Sequence, residues 1–505
     1  MTAAAPRRDA TRRDTEPAGP ADRRLPDGFR VVLDRRTRRI DGGAVLVGGA
    51  PPRLVHLSAT ARALLPTPGA ELVVTSPTHR ALARTLLDAG LANPVPAGLP
   101  GGVTPAQVTV VVPVKDRPLD RLLAALGVAC LGGLVVVDDG SADPEPLRRS
   151  VGAAGGRVLR HERSRGPAAA RNTGLAAATT PYVVFLDSDV VPEPGWLEPL
   201  LDHLADPAVA LVAPRIVALD PQRLRTTVGR YEALRSSLDL GTDPALIVPR
   251  SRVAYVPSAA MLVRTAAVGD TAFDPGMHVA EDVDLVLRLH DAGWAMRFEP
   301  ASRVAHDHRT APTQWLRRKA FYGTGAAPLA RRHPGAVPPM VLSPWSAAVC
   351  LLLLAQRRST TLAAVAVSVS AAERLSRKLT RLERPRRTAA HLTLLGLQGA
   401  LWQTASALTR HFWPVAMLAL PFSARARRAV AVAALAEGLA DRWVHRAADP
   451  RVRLGLLRYV LAHRADDLGY GAGLWWGAAR HRTLAPLRPS GPARRHRPGG
   501  ARKPA

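Results

Sequence analysis

Three short apolar runs rich in β-branched residues, each ending on carboxylates, constrain this chain more than anything else in it. They read QVTVVVPVKDR from Gln107, LGGLVVVDDGSAD from Leu131 and TPYVVFLDSDVV from Thr180. Runs of this length, separated by Ala/Leu-rich segments such as Leu119 to Val128, imply βαβ units and a parallel sheet. In an open sheet of that kind the ligand lies beyond the carboxyl ends of the strands. Asp116, Asp138, Asp139, Asp187 and Asp189 would collect at that edge. Carboxylates crowded there repel unless a cation or a donor-rich ligand sits among them, so the pattern points to a metal and a nucleotide.

Each strand end carries its own chemistry. Val108 to Pro113 delivers Pro113, Lys115, Asp116 and Arg117, residues suited to a base and ribose. Asp138-Asp139-Gly140-Ser141 is an ordinary β-turn or, beside a nucleotide, a set of acceptors for a uracil imide or ribose hydroxyl. Gly166 to Gly174 opens a helix whose free N–H groups, with Arg171 and Asn172, can face phosphate. Asp187-Ser188-Asp189 follows an uncharged strand, Tyr182 to Leu186. Asp187 and Asp189 are oxygen ligands for Mg²⁺ or Mn²⁺, or else a solvated acidic turn. His306, in His306-Asp307-His308-Arg309 after a strand from Met296 to Val304, can complete the metal shell. Glu281 and Asp282 start a helix that ends near Gly293, a routine place for acids that complement the helix dipole.

Taken together, VVVPVKDR, VVVDDGS, GPAAARNTGL, FLDSD and the later EDVDL resemble the family 2 glycosyltransferases, over Gln107 to roughly Arg309. The resemblance implies the GT-A fold, a Rossmann-like mixed sheet that binds a nucleotide-diphospho-sugar. More narrowly, LPDGFRVVLDRRTRRIDGG, LSATARALL and FYGTGAAPLA are similar to the mycofactocin-system glycosyltransferases. That likeness implies a UDP-sugar donor, glucose as the hexose, and the peptide-derived redox cofactor mycofactocin or its precursor as an acceptor that is oligoglycosylated. It also gives Asp282 the role of base: in inverting transfer a carboxylate takes the proton of the attacking hydroxyl while the ion neutralises the departing diphosphate. Glu281 would orient that base or the acceptor. Gln314, Trp315, Arg317 and Arg318 partly match the QxxRW acceptor motif; Arg318 stands where the motif has Trp, and Trp315 is the available substitute. Other readings are a lipid or cell-envelope polysaccharide acceptor, a sugar-nucleotide nucleotidyltransferase, whose Gly-rich loop after the first strand is missing, and a scaffold that binds nucleotide without catalysis.

The rest of the chain divides by composition. With 505 residues, 47% of them apolar, two or three domains are affordable. Residues 1–24 and 483–505 are Arg- and Pro-rich and read as disordered tails. Residues 25–95 read as a small α/β module resembling the PqqD-like winged-helix proteins, which hold precursor peptides, and 96–106 as a Pro/Gly linker. The catalytic domain is expected over 107–335. From 336 to 482 short apolar segments bordered by arginine suggest helices lying on or dipping into the cytoplasmic face of the cell membrane, with two to four marginal spans or a soluble helical bundle as the alternatives. The net charge of +28, much of it in the tails and in this region, fits an anionic membrane surface better than nucleic acid. Cys130 and Cys350 read as buried thiols in a reducing cytosol, and the N-terminus shows no secretory signal.

Overall fold

The computed structural model describes residues 19–65, 69–96, 99, 102–126, 130–219, 225–445 and 452–492. Most of both expected tails lies outside them. The described residues form two compact units, one running to Thr310, the other from Ala311 onward. Gln314 to Arg318 therefore belong to the second unit.

The first unit begins with a small α/β module. Strands β1 (Arg30–Leu33), β2 (Arg38–Ile40), β3 (Val45–Gly48), β4 (Arg53–His56), β5 (Glu71–Val73) and β6 (Ala92–Pro94) make two three-stranded sheets, β5-β1-β6 and β2-β3-β4. Ser58 caps the helical turn Ala59–Ala63 by accepting the Ala61 amide at 3.2 Å. Ser76 caps helix α1 (Pro77–Asp88), which turns Leu86 and Leu87 into a core with Leu25, Phe29, Leu46 and Leu72. The module is fixed to the catalytic sheet by charge as well as packing. Arg84 grips buried Asp206 with two hydrogen bonds, 2.9 and 2.7 Å.

The catalytic sheet follows from the apolar runs. Its strands are β7 (Val108–Val114), β8 (Gly133–Asp138), β9 (Arg157–Arg160), β10 (Tyr182–Leu186), β11 (Val190–Pro192), β12 (Val209–Ala218), β13 (Ala245–Leu246), β14 (Ala260–Arg264) and β15 (Ala295–His306). The order is β11-β15-β12-β14-β10-β7-β8-β9, with β13 paired to β15. Strands β10, β7, β8 and β9 are parallel, which the βαβ spacing anticipated. The sheet turns from parallel to mixed at β14, which runs antiparallel to both β10 and β12, as the resemblance to a mixed sheet implied and the βαβ spacing alone did not. A strand buried on both faces is an unbroken apolar run whichever way it points, so direction was not written in Pro257 to Val263. That reversal brings the start of β14 against the end of β10, where the Asp187 amide donates to the Ala259 carbonyl at 2.9 Å.

Two helices carry the remaining motifs of this unit, α2 (Pro167–Ala176) and α3 (Glu281–Asp291). In the second unit α4 is Pro312–Thr324; Pro344–Leu354, Arg358–Ser376, Pro385–Ser406 and Trp413–Ala419 follow, then α5 (Ala424–Val444) and α6 (Leu456–Arg480). Helices α4 and α6 press backbone to backbone: a Cβ added at Gly473 would overlap the Ala320 carbonyl. Among the described residues no helix is long and apolar enough to cross a membrane. Of the stretch read as a basic tail, the described part is tied down, with the Ser490 amide donating to the Met340 carbonyl at 3.0 Å. Cys350 is buried as expected, but Cys130 is exposed, because it follows the end of the helix Asp120–Leu126 instead of lying inside it.

Candidate active site

The end of β8 is held by its own carboxylates. Asp138 accepts the Ser141 amide at 2.9 Å and pairs with Arg160. Asp139 accepts the Arg165 and Gly166 amides, each at 2.8 Å, and the Ser164 hydroxyl at 2.7 Å, with His161 Nδ1 2.7 Å away. Burial by itself pushes the Asp139 carboxyl up; these four partners together hold it below its ordinary value. Gly140 permits the arrangement: its φ is +77°, and a Cβ there would lie 2.9 Å from the Ser164 nitrogen. Asp138 and Asp139, expected as acceptors for the nucleotide, thus have ligands within the chain, and their visible work is to shape the loop that opens α2. Ser141 also accepts the Asp116 amide at 2.9 Å, and the Ala142 amide donates to Asp116 at 2.8 Å, so the β7 and β8 ends are stitched together. Pro113 is buried in the strand, Lys115 is exposed beside Asp116, and Arg117 reaches across to Asp307 at 2.8 Å.

Helix α2 contributes one buried cation. Arg171 donates to Asp187 at 2.6 Å and to Glu281 at 3.0 Å, and its guanidinium lies over the Phe273 ring, 5.2 Å from the centroid. One side chain therefore joins the turn after β10 to the first turn of α3. Asn172, expected on the donor side, commits its side chain to the backbone. Its side-chain amide donates to the Phe273 carbonyl at 2.6 Å and accepts the Phe273 amide at 3.0 Å, pinning that segment. Gly166 precedes α2 with φ of 89° and its amide on Asp139, and Ser188 lies in the half-buried turn between the two acids.

Asp189 stands beside Arg117 at 3.6 Å and His306 Nε2 at 3.5 Å. Burial, then the Asp187 charge, pushes its carboxyl up to about 6. Burial pushes His306 down to about 4, leaving a neutral imidazole. Two carboxylates next to a neutral ring nitrogen are a donor set that suits a divalent ion, with Arg171 at Asp187 and Arg117 at Asp189 as the cations already beside them. The three ligand atoms do not all converge within 4.8 Å in this geometry, and Arg171 holds Asp187 toward Glu281.

At the start of α3, Asp282 accepts the Ser258 amide at 3.1 Å and the Val283 amide at 2.8 Å. Desolvation, reinforced by neighbouring Glu281, pushes its carboxyl up to about 7. A carboxylate poised there can take a proton at neutral pH. Ser258 immediately precedes Ala259, whose carbonyl holds Asp187, so Asp187, Asp189 and Asp282 belong to one polar edge. Gln314, Arg317 and Arg318 are exposed on α4 in the other unit. The stacking role considered for Trp315 does not fit its position, since the ring is buried against its own unit with Lys319 Nζ 5.7 Å from its centroid.

The family described as Glycosyl transferase family 2 matches residues 109–267. The pre-mycofactocin glycosyltransferase of Mycobacterium tuberculosis (strain ATCC 25618 / H37Rv) is 47% identical over 475 residues, covering 92% of this chain and 98% of that one. This chain belongs to the family 2 glycosyltransferases. The transferase also matches the putative polypeptide N-acetylgalactosaminyltransferase 13 of Drosophila melanogaster, 29% identical over 229 residues, 41% of this chain and 40% of that one. Among solved structures the mannosyltransferase PcManGT of Pyrobaculum calidifontis, in complex with GDP-Man and Mn²⁺, is 19% identical with a TM-score of 0.35, covering 67% of this chain and 87% of that one. Likeness at that level carries no argument about donor or ion. The mixed sheet and the family membership agree with the GT-A fold that the five motifs implied. Sequence reasoning missed His161, which links Asp139 to Thr173 Oγ1 at 2.9 Å, and Arg160. Both sit in the Arg/Gly segment before α2, and no pattern in that segment singled them out.

Proposed function

We propose that the transferase moves glucose from UDP-glucose, with inversion, onto a hydroxyl of mycofactocin or its precursor, and repeats the step to build a short oligoglycoside. The observation that carries this reading is the Arg171 bridge between Asp187 and Glu281, which unites the donor-side acids with the acceptor-side acids in one site. Asp282 takes the acceptor hydroxyl proton. Glu281, fixed by Arg171, orients the acceptor. Asp189, His306 and Asp187, whose Oδ1 Arg171 already occupies, would hold Mg²⁺ or Mn²⁺, and the ion would supply charge neutralisation at the diphosphate. The acceptor follows from the name of the 47% identical relative, and its test is mass spectrometry of pre-mycofactocin incubated with the purified chain and UDP-glucose. Hexose increments support the reading; an unchanged acceptor in the presence of UDP release overturns the acceptor assignment. Asp189→Asn is expected to weaken ion-dependent UDP-glucose binding by about 10- to 100-fold. Titrations with and without Mn²⁺ check this, and equal affinities in the two proteins would remove Asp189 from the ion site.

We also propose that the helical unit docks on the inner leaflet of an anionic membrane. Large apolar side chains stand in solvent there, among them Phe422 at 91% exposed, Leu418 at 74%, Leu362 at 71% and Trp443 at 68%. Arg357, Arg358, Arg425 and Arg427 lie near them in sequence and suit acidic headgroups. Co-sedimentation of the full chain with phosphatidylserine vesicles is expected to weaken as salt rises. Failure to pellet with any vesicle rules the docking out.

A further inference from the structure

The helical unit hides a cluster of ionisable groups that sugar transfer does not use. Glu437 and Asp441 lie one turn apart on α5; His463 and Asp467 lie one turn apart on α6. All four are buried. His463 Nε2 faces both Glu437 oxygens, at 3.2 and 3.1 Å, and stands 3.9 Å from Asp441 Oδ2. Tyr459 donates to that same Asp441 oxygen at 2.6 Å. Glu437, His463 and Asp467 each offer a ligand atom within 4.8 Å of the other two. A transition ion bound at about 2.0–2.2 Å needs its ligands within roughly 4.4 Å of one another, so closure by a few tenths of an ångström completes the set.

A second observation points the same way. Asp467 Oδ2 is buried and receives no hydrogen bond, on a side chain only 4% exposed. Its nearest cation is Arg464, whose Nη2 lies 3.2 Å away and also pairs with Glu437. That guanidinium is poorly seated: its Nε and Nη1 are buried without acceptors. The other Asp467 oxygen accepts from Arg410 at 3.0 Å, and Arg410 is shared with Asp466, which meets Lys319 at 3.1 Å. If Arg464 swung outward, Glu437 and Asp467 would keep, among the described residues, Arg410 and the His463 ring as their positive or donor partners. Two buried carboxylates left that way call for another cation.

We propose that Glu437, His463 and Asp467 form a second metal site, for a divalent transition ion of the Zn²⁺ or Mn²⁺ class, that clips α5 to α6, with Arg464 as the side chain the ion displaces. One imidazole with two carboxylates is a donor set suited to such ions, and Asp441 stands one turn away as a further oxygen ligand. An ion bound only by the folded helices raises their stability by mass action.

The test uses the full chain carrying Asp189→Asn, so that the transfer site is handicapped as a competing ion site. Equilibrium dialysis against Zn²⁺ with elemental analysis is expected to show about one bound ion per chain and a rise in Tm. His463→Gln in that background should lose both the ion and the Tm rise. Arg464→Met should bind the ion at least about tenfold more tightly, since it removes the competing cation. Equal binding by the parent and the His463→Gln protein, or no tightening in Arg464→Met, overturns the proposal. Should His463→Gln fail to fold by circular dichroism, the Arg464→Met comparison decides.

Discussion

Asp282→Asn is expected to lower kcat by about 10²- to 10⁴-fold while leaving the Kd for UDP-glucose near that of the parent, the range for loss of a general base. Asparagine has nearly the same shape and can still accept one of the two amides that hold Asp282, from Ser258 or Val283. It cannot take a proton from an acceptor hydroxyl. The parent's kcat/KM is expected to rise with pH along a limb centred near 7, because only the ionised carboxylate is a base and burial beside Glu281 has raised its pKa to that value. The same shift has a sign for stability. A carboxyl whose folded pKa of about 7 exceeds its unfolded 3.8 makes folding less favourable as pH climbs between those values. The parent's Tm should therefore fall relative to that of Asp282→Asn over this interval. Turnover by Asp282→Asn close to that of the parent, with the same pH limb, would assign the base elsewhere.

The catalytic edge was legible because buried strands announce themselves. Val108 to Val114, Gly133 to Asp138 and Tyr182 to Leu186 are runs that only a sheet interior accommodates, and the acids that end them must sit at its rim. Their exact partners were not legible. Whether Asp139 faces a nucleotide or its own loop depends on how closely the Arg163–Ser164 backbone approaches Gly140, a tertiary contact no local pattern encodes. The partner of Asn172 was not legible for a similar reason, since the Phe273 backbone it holds is distant in sequence. In the second unit Ala424 to Val444 falls within the stretch expected to be helical, but its sequence does not show which of its faces is buried. Its acids Glu437 and Asp441 gain meaning only from α6 alongside. Charges buried in a helical unit are specified by neighbours in space, and neighbours in space are what a single sequence least reveals.

Arg171→Met is expected to cost about 3–5 kcal/mol of stability, the range for removing one partner of a buried ion pair. Arg171 is only 2% exposed. Burial alone would lower its pKa; Asp187 and Glu281 outweigh that and raise it, so the guanidinium is a firmly charged centre between two acids. Its removal leaves both carboxylates without the cation they share, near Asp282. Lysine is a poor replacement, because one ammonium on a flexible stem does not reproduce the fork that reaches both acids. The double variant Arg171→Met with Glu281→Gln separates fold from chemistry. It removes one of the orphaned charges, so urea denaturation should show part of the loss recovered. Transfer should stay impaired, since Asp187 and the acceptor-side residue are no longer held in one frame. If Arg171→Met unfolds at the parent's urea midpoint and turns over at the parent's rate, the bridge is incidental and the two halves of the site are positioned by the sheet alone.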